Sequence, residues 1–238
     1  MKKLGFILLA VLSVATFSCL DDDGYSLNDQ WIGFGMYVNE SGTMLIKMDD
    51  GDVLRPVAWN PGLDYGDDFD DGSRLLVNFT ILDEVQNSDG SVNQYLVKVN
   101  EAREILLKGI LRLTEENADS IGNDPLIVED FWMTDSLLNF KIKYWGYNQV
   151  HFLNLVEETG EPQPEDPVKL QLRHNANNDS ESLSYTAFVS FSLNQLRVSG
   201  KDSISVKVSS TDYEGVTHTL EKVFNYSDLP LNGPAEQE

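Results

Sequence analysis

The sequence contains a single cysteine, Cys19, among 238 residues, and basic residues are few. One thiol cannot close an intramolecular disulfide, and no clustered His or Cys neighbours supply the ligands of a structural metal site. Lys and Arg number 17 against 39 Asp and Glu, which gives a formal net charge of −22. Such an acidic chain lacks the basic patch that binding to nucleic acid, or electrostatic binding to anionic lipid, requires.

Motifs of catalytic chemistry are also absent from the sequence. It contains no His-Glu-x-x-His, no Gly-x-Ser-x-Gly, no glycine-rich phosphate loop and no Cys-x-x-Cys. The three histidines, His151, His174 and His218, lie far apart in the chain, and a lone strand histidine is more often a packing or surface residue than a catalytic one. We therefore predict a protein that is not an enzyme and has no cofactor.

No apolar run is long enough to span a membrane as a helix. The run from Leu4 to Phe17 is shorter than the roughly 20 residues that a spanning helix needs. Two lysines precede it and the small residue Ser18 follows it, which is the pattern of a secretion signal. Residues 1–18 are therefore predicted to be a signal peptide. Its removal takes two lysines from a chain of charge −22 and leaves −24.

The cysteine after this segment resembles that of a bacterial lipobox, which is diacylated on sulfur and becomes the acylated N-terminus. Thr16-Phe17-Ser18 departs from the common Leu-Ala-Gly pattern, but a lipid on Cys19 explains why an exported chain keeps one unpaired thiol. Residues 19–29 would then be a lipidated acidic linker. A protein anchored in the outer membrane by palmitate or similar acyl chains is the predicted product.

Three consecutive acidic residues follow the cysteine, namely Asp21, Asp22 and Asp23. They resemble the surface-export signal of lipoproteins in some Gram-negative bacteria, which would place the protein on the outer face of the outer membrane. The alternative is a solvated acidic linker, since runs of like charge are usually exposed.

Alternation of apolar and polar residues, interrupted by turn residues, dominates the sequence after residue 29. In the first half, short links rich in Asn, Asp, Ser and Gly join the strand candidates as hairpins. Five strands with an early meander predict a small OB-like barrel over residues 30–116. The segment 101–116 suits a helix by its spacing, but Gly109 weakens that reading and a last strand at 105–110 is the alternative. The five strand candidates are 30–38, 43–48, 52–58, 73–84 and 91–100.

Residues 117–126 are rich in turn formers and are predicted to link two domains. Seven short strands after them predict an immunoglobulin-like β-sandwich over 127–230, without the cysteine pair of antibody domains. Residues 231–238 are expected to form a flexible tail. The predicted fold class is all-β, an N-terminal OB-like barrel followed by the sandwich. The seven candidates are 127–134, 137–145, 149–156, 166–174, 183–193, 202–210 and 217–226.

Several segments carry a resemblance that covers nearly all of the chain after residue 18. They are the acidic start at Cys19, RLLVNFTIL (74–82), DFWM (130–133), LNFKIKYWG (138–146), HFLNLV (151–156) and LQLRHNANND (170–179). Together they resemble the NigD-like proteins, a family of bacterial outer-membrane lipoproteins. The resemblance implies an OB-like barrel followed by a β-sandwich, and a link to bacteriocin immunity, the role proposed for the member that gave the family its name. It supplies no catalytic residues.

The densest acidic segment, 64–72, does not follow the pattern of a calcium loop. An EF-hand loop starting at Asp67 would place Phe69 where a ligand is needed and Asn78 where a bidentate Glu belongs, so the pattern fails. A charge run is more often a solvated loop, and we predict no metal site. The alternative is an irregular calcium site made by Asp64, Asp67, Asp68, Asp70 and Asp71.

Aromatic residues offer a candidate binding surface. Alternation along 138–146 places Phe140, Ile142 and Tyr144 on one face of a strand and Trp145 on the other. An exposed Trp145 would stack against a sugar or a peptide, and it is the predicted ligand-stacking residue.

Two functions therefore compete for a non-catalytic cell-envelope lipoprotein. One is binding of a protein or peptide partner, including bacteriocin immunity, and the other is capture of a glycan or peptide at the cell surface. A flat apolar patch rimmed by acids would favour a protein partner, and an exposed aromatic groove would favour a glycan. We predict the protein partner, with the lipid anchor as the membrane contact.

Overall fold

Residues 26–60, 69–134, 136–158 and 167–226 are described by a computed structural model of the protein. The predicted signal peptide 1–18, Cys19, Asp21–Asp23 and the tail 231–238 lie outside these residues, so what the sequence predicts for them stays a prediction. Within the described ranges, no helix is long and apolar enough to cross a membrane.

The first domain is a closed barrel of five strands, β1 (Trp31–Glu40), β2 (Thr43–Met48), β3 (Val53–Trp59), β4 (Arg74–Gln86) and β5 (Val92–Glu104). Around the barrel their order is β1-β2-β3-β5-β4, and β4 closes it against β1. Strands β3 and β5 pair in parallel, whereas the other neighbours are antiparallel. This five-stranded closure confirms the predicted OB-like barrel.

Alternating apolar side chains fill the barrel. Ile46, Leu75 and Val97 are fully buried in its interior. Gly35 on β1 permits the close approach of β2, because a Cβ there would lie 2.7 Å from Cγ2 of Ile46 and 2.9 Å from the carbonyl oxygen of Lys47.

The second domain is a sandwich of two sheets. The five-stranded sheet has the order β14-β13-β11-β10-β7, and the four-stranded sheet has the order β6-β12-β9-β8. The two inner faces bury a core that includes Phe140, Ile142, Leu155 and Phe191, each with no exposed surface. Tyr144 packs against this core, which confirms the alternation predicted for 138–146. The strands are β6 (Leu106–Lys108), β7 (Ile110–Arg112), β8 (Ile127–Met133), β9 (Leu137–Gly146), β10 (Phe152–Glu157), β11 (Val168–Asn175), β12 (Leu183–Ser192), β13 (Ser203–Thr211) and β14 (Thr217–Asn225), with a short helix α1 (Ala118–Ile121).

The segment after the barrel agrees in part with the strand predicted as the alternative at 105–110, and not with the helix that its spacing suits. Residues 101–116 are not a helix: β5 runs to Glu104, and β6 and β7 then join opposite sheets of the sandwich. β6 pairs in parallel with β12, and β7 pairs in parallel with β10. The change of domain thus falls near Ile105, before the expected linker 117–126. The division of the predicted strand into two was not expected, because three-residue strands carry too little periodicity and their partners lie far away in the chain.

The barrel packs on the outer face of the four-stranded sheet. Phe34 of β1 contacts the Trp132 ring at 4.9 Å and the Phe188 ring at 5.0 Å between centroids. The outward-facing polar residues Asn139 and Ser190 are 1% and 2% exposed because this packing covers them.

A fully buried arginine joins the two domains at this contact. Arg74 of β4 forms a bidentate pair with Asp49, with Nη1–Oδ1 and Nη2–Oδ2 distances of 2.5 and 2.6 Å. Its Nη2 also donates to Oδ1 of Asn139 at 3.1 Å, and its Nε donates to Oγ of Ser190 at 3.3 Å. Trp132 donates from Nε1 to Oδ2 of Asp49 at 3.1 Å. The charge is therefore satisfied by side chains from both domains.

Candidate functional site

The candidate site lies at the end of the sandwich that points away from the barrel contact. Strands β9 and β12 are antiparallel, with Asn139 opposite Ser190 near the barrel and Gly146 opposite Leu183 at the other end. Seven residues of strand separate the two ends, a distance of roughly 20 Å. The site is therefore remote from the Arg74 network.

Two histidines that are far apart in the sequence meet at this end. His174 of β11 donates from Nδ1 to the carbonyl oxygen of Pro125 at 2.9 Å, since a carbonyl only accepts. Its Nε2 lies 2.8 Å from Nδ1 of His151, and Nε2 of His151 lies 3.1 Å from Oδ2 of Asp179. The three side chains thus form one continuous hydrogen-bonded chain from the Pro125 carbonyl to Asp179.

Burial is the main influence on the protonation state of His174. Desolvation lowers the pKa of His174 below its ordinary value, with His151 nearby acting in the same direction, although the Pro125 carbonyl and Asp124 oppose it. His174 is only 1% exposed. A neutral His174 leaves its Nε2 lone pair free to accept the hydrogen bond from His151.

Asp179 fixes the turn between β9 and β10. Its carboxylate accepts hydrogen bonds from the backbone N–H groups of Tyr147, Asn148 and Gln149 at 2.5, 3.3 and 3.2 Å. Burial alone would raise the pKa of Asp179, but the three N–H donors and His151 outweigh it and hold the pKa well below its usual range. The carboxylate therefore stays ionised and holds the turn in one conformation.

A pocket of about 120 Å³ opens beside this network. Its walls include the rings of Trp145 and Tyr213, which meet edge to face at 4.7 Å between centroids. Acidic side chains line the pocket as well: Asp124, Asp179 and Glu181. The combination offers aromatic faces and hydrogen-bond acceptors to a small ligand group.

The predicted stacking residue Trp145 is half-buried and lies in this pocket. Its backbone N–H donates to the Tyr213 hydroxyl at 3.0 Å, and Nζ of Lys143 lies 5.1 Å from the centre of its ring. Burial raises the pKa of Tyr213, and Glu181 and Asp124 raise it further against the opposing Trp145 hydrogen bond. The phenol therefore stays neutral. Whether Trp145 stacks on a ligand stays a prediction.

Next to the pocket lies a group of exposed apolar side chains that we call the tip. It consists of Tyr147, Val150, Leu183 and Tyr185, which are 60%, 67%, 53% and 38% exposed. The hydroxyl of Tyr185 donates to the carbonyl oxygen of Tyr147 at 3.4 Å, and Leu183 pairs with Gly146, so the β12 residues lie against the turn. The hydrogen bonds from the turn to Asp179 thus hold the apolar tip in one conformation.

The three histidines lie at two separate places in the structure. Both ring nitrogens of His151 and of His174 are engaged by protein atoms, so neither ring presents a free base to the pocket. His218 lies elsewhere, on β14, where its Nε2 is 2.6 Å from Oδ2 of Asp212 on an exposed hairpin. The geometry is that of hydrogen-bonded structural histidines.

The calcium alternative is tested in part. Asp64, Asp67 and Asp68 lie outside the described residues, and Oδ1 of Asp71 accepts a hydrogen bond from the Asn39 backbone. Among the described residues, no group of three or more His, Cys, Asp or Glu could hold a metal ion.

Sequence reasoning missed Asp179 and Tyr213. A signal for Asp179 exists in the Asn-rich turn that precedes it, where Asn177 and Asn178 adopt left-handed backbone conformations with φ of 53° and 56°. Such residues mark a tight turn, and an Asp at its end is suited to accept backbone N–H groups. Tyr213 has no comparable signal, because it reaches Trp145 from 68 residues away.

Comparison with known proteins places these features in a family. Residues 109–223 match the NigD-like C-terminal β-sandwich domain. A solved structure named as a candidate toxin-related protein, from Parabacteroides distasonis, is 31% identical, with 84% of this chain and 95% of that one covered and a TM-score of 0.67. No curated protein matches the sequence.

More distant solved structures share the fold. A NigD-like immunity protein from Bacteroides caccae is 16% identical, with 84% of this chain and 98% of that one covered and a TM-score of 0.60. A candidate lipoprotein from Bacteroides fragilis is 14% identical, with 85% and 100% covered and a TM-score of 0.58.

The fold defines a class of two-domain, all-β proteins in which an OB-like barrel covers one face of a β-sandwich. Within that class, the chain belongs to the NigD-like family, as its sequence motifs predict.

Proposed function

We propose that this protein is a non-catalytic cell-envelope lipoprotein that binds a polypeptide partner through the tip. The observation that carries the proposal is an apolar surface that is exposed and yet held rigid. Tyr147 and Val150 are more than half exposed, while the turn that bears them is fixed by three hydrogen bonds to Asp179. Exposed apolar groups that form a contiguous surface commonly mark protein contacts.

A rigid tip favours affinity because little conformational freedom is lost on binding. Tyrosine is among the residues that contribute most to interfaces, and the tip contains two, Tyr147 and Tyr185. Asp124 and Glu181 line the adjacent pocket, and the chain carries a net charge of −22. A basic partner would therefore associate faster at low salt than at high salt.

The names of related structures support a role in immunity to a bacteriocin. One solved structure of the same fold is named as an immunity protein, and the 31% identical one is named as a candidate toxin-related protein. A membrane tether at Cys19 would raise the effective concentration of the tip at the surface to be protected. The partner in this role is an incoming toxin polypeptide.

The test is recovery of the partner from cell membranes by the tagged protein, with and without an altered tip. The double variant Tyr147→Ala/Leu183→Ser should lose most of the recovered polypeptide, and the remaining binding should fall with salt. Val223→Ser on β14 is the matched control, because Val223 is 57% exposed but far along the chain from the tip. Equal recovery by the tip variant and the control would refute the proposal.

The anchor is tested separately. Cys19→Ala should move the protein from the membrane fraction to the soluble fraction without a change in its unfolding curve. Replacement of Asp21, Asp22 and Asp23 by Ala should lower digestion by external protease if these residues direct surface export. Unchanged digestion would leave them as a solvated linker.

Capture of a surface glycan is the second candidate, and the pocket at Trp145 is the observation that favours it. Trp145 and Tyr213 supply aromatic faces, and carboxylates beside them would accept hydrogen bonds from sugar hydroxyls. A defined oligosaccharide that changes the tryptophan fluorescence of the wild type, but not of Trp145→Phe, would support this function in place of the first.

A further inference from the structure

A second cavity lies in the other domain, at the end of the barrel where the chain enters β1. It has a volume of about 230 Å³ and is lined by residues of all five barrel strands. Its floor is the barrel core, where Leu54 is 1% exposed. The cavity therefore offers an apolar interior beneath an open mouth.

Aromatic rings form part of its wall. Trp31 and Phe79 stack with their centroids 6.3 Å apart and their planes inclined by 26°. Tyr95 of β5 lines the same cavity. The faces of such rings attract cations because their electron density is concentrated above and below the plane.

Carboxylates lie at the mouth. Asp50 and Asp52 both line the cavity, and Asp50 is fixed by a hydrogen bond of 3.1 Å from the Asp52 backbone to its Oδ1. Within the described part of the chain, no Lys or Arg side chain forms an ion pair with either carboxylate. Their negative charge is therefore available to an external group.

Burial and these charges change the pKa values of two groups that line the cavity. Burial raises the pKa of Asp52, and the neighbouring Asp50 raises it further. Burial also raises the pKa of Tyr95, with smaller contributions in the same direction from Asp52, Glu84 and Asp50. Burial is the larger cause of both shifts, and the negative charge of the nearby carboxylates is the smaller one. Only this smaller contribution favours a positive charge in the cavity.

We propose that the mouth of the barrel binds a cationic side chain, lysine or arginine, presented by a polypeptide. The charged head would lie between the carboxylates of Asp50 and Asp52, and its methylenes would lie along Trp31 and the apolar floor. Two carboxylates in a cavity that aromatic rings also line suit an organic cation better than a metal ion, which needs more oxygen ligands. The site is separate from the tip and does not rest on the function proposed above.

The test uses the full chain, purified in detergent, and follows the indole N–H of Trp31 by NMR. The probes are lysine and arginine with their backbone ends blocked as amides, at constant ionic strength. Each should shift the Trp31 signal saturably, with a dissociation constant of about 1–10 mM, which is the range expected for a single side chain. Lysine acetylated on its ε-nitrogen should bind at least about tenfold more weakly, because it has lost the charge.

Two variants complete the experiment. Asp52→Asn should weaken binding of the lysine probe about tenfold, because it removes one of the two charges. The matched control is Asp83→Asn, an exposed aspartate on β4 that does not line the cavity and should leave the binding unchanged.

Three results would overturn the proposal. They are the absence of a saturable shift, equal binding of the acetylated probe, and a stronger response to a neutral oligosaccharide than to lysine. A free polyamine that competes while a lysine-containing peptide does not would place the source of the cation outside polypeptides, and this also contradicts the proposal.

Discussion

The protein contains two buried polar networks that solve different problems. The Arg74 network lies between the domains, and Arg74 has no exposed surface. The network of His151, His174 and Asp179 lies at the free end of the sandwich, and it holds a surface turn. The first joins parts of the protein to each other, whereas the second orders a surface that faces outward.

The two networks differ in the exposure of the residues around them. Around Arg74 the neighbouring rings of Phe34, Trp132 and Phe188 pack against one another. Around Asp179 the neighbours Tyr147 and Val150 remain exposed. A buried polar network alone therefore does not indicate a functional site. The indication comes from the exposure of the side chains that the network holds in position.

The largest effect on stability should be seen between two sandwich fragments that begin at different residues. A fragment that begins at residue 105 retains β6 and β7, whereas one that begins at Asp124 lacks both strands and the buried side chain of Ile110. Loss of that side chain alone should cost about 2–5 kcal/mol. We expect the longer fragment to unfold cooperatively and the shorter one not to.

Circular dichroism and urea unfolding of the two fragments measure this effect. A cooperative transition in both fragments would contradict the assignment of β6 and β7 to the sandwich core. The longer fragment should also retain the hydrogen bonds of Asp179, because the described partners, residues 147–149 and His151, all lie in the sandwich.

A smaller but still large effect should follow from Arg74→Ala. Removal of Arg74 leaves Asp49, whose side chain is 21% exposed, without its main counter-charge. Loss of one partner of a fully buried pair costs about 3–5 kcal/mol, and we expect a loss near the lower end of that range because water reaches Asp49. Arg103→Ala is the control, because Arg103 pairs with Glu101 at a side-chain exposure of 75%. Exposed pairs contribute about 0–1 kcal/mol. Urea denaturation should separate the two variants, and similar losses would show that the Arg74 pair is not effectively buried.

The stability of the distal network should depend on pH. The pKa of His174 is lowered in the folded state, so between that value and the ordinary pKa of about 6.5 the unfolded chain binds the extra proton. The contribution of His174 is therefore complete above about pH 6.5 and decreases as the pH falls below it, by at most about 1.4 kcal/mol per pH unit. Asp179 acts in a lower window, because its lowered pKa stabilises the fold above an ordinary value of about 3.8 and this stability is lost only at more acidic pH.

Urea unfolding between pH 8 and pH 5 checks the effect of His174. The slope of the unfolding free energy against pH should be smaller in His174→Gln than in the wild type, whatever the absolute stability of the variant. Equal slopes would mean that His174 titrates alike in the folded and unfolded chains.

The smallest effect on global stability should come from Asp179→Ala, with a large local one. Backbone amides 147–149 should exchange with solvent about tenfold faster or more, because their common acceptor is lost. Asp212→Ala is a matched control, since Asp212 accepts hydrogen bonds from the backbone of Glu214 and Val216 in another hairpin. Hydrogen exchange should show loosening of residues 214–216 in the control and none at 147–149.

Much of the fold was predictable because its information is local. All the strands predicted for the barrel and for residues 127–226 are present, since each alternates over six or more residues and ends in turn formers. A strand at 105–110 was predicted as the alternative to a helix, but its division into β6 and β7 was not predictable, because three residues carry no usable period and their pairing is with distant segments.

The candidate site was predictable only in fragments. Trp145 could be singled out from the alternation of β9, and His151 and His174 were visible as isolated residues. Their meeting depends on the pairing of β10 with β11, where Leu153 lies opposite His174. The role of Asp179 depends on a loop that returns to the turn after β9, and that return is a tertiary feature which no local pattern encodes.

The split of β6 and β7 between opposite sheets has a consequence for how fast the molecule can fold. The barrel closes by pairing Trp31 with Phe79, a separation of 48 residues. The four-stranded sheet instead needs Leu106 to meet Val189, 83 residues later. Closure of long loops is entropically costly, and folding slows as the separation of contacting residues grows. The barrel can therefore form early. Pairing of β6, the first strand of the sandwich, with β12 comes later, and this step is expected to set the rate of folding.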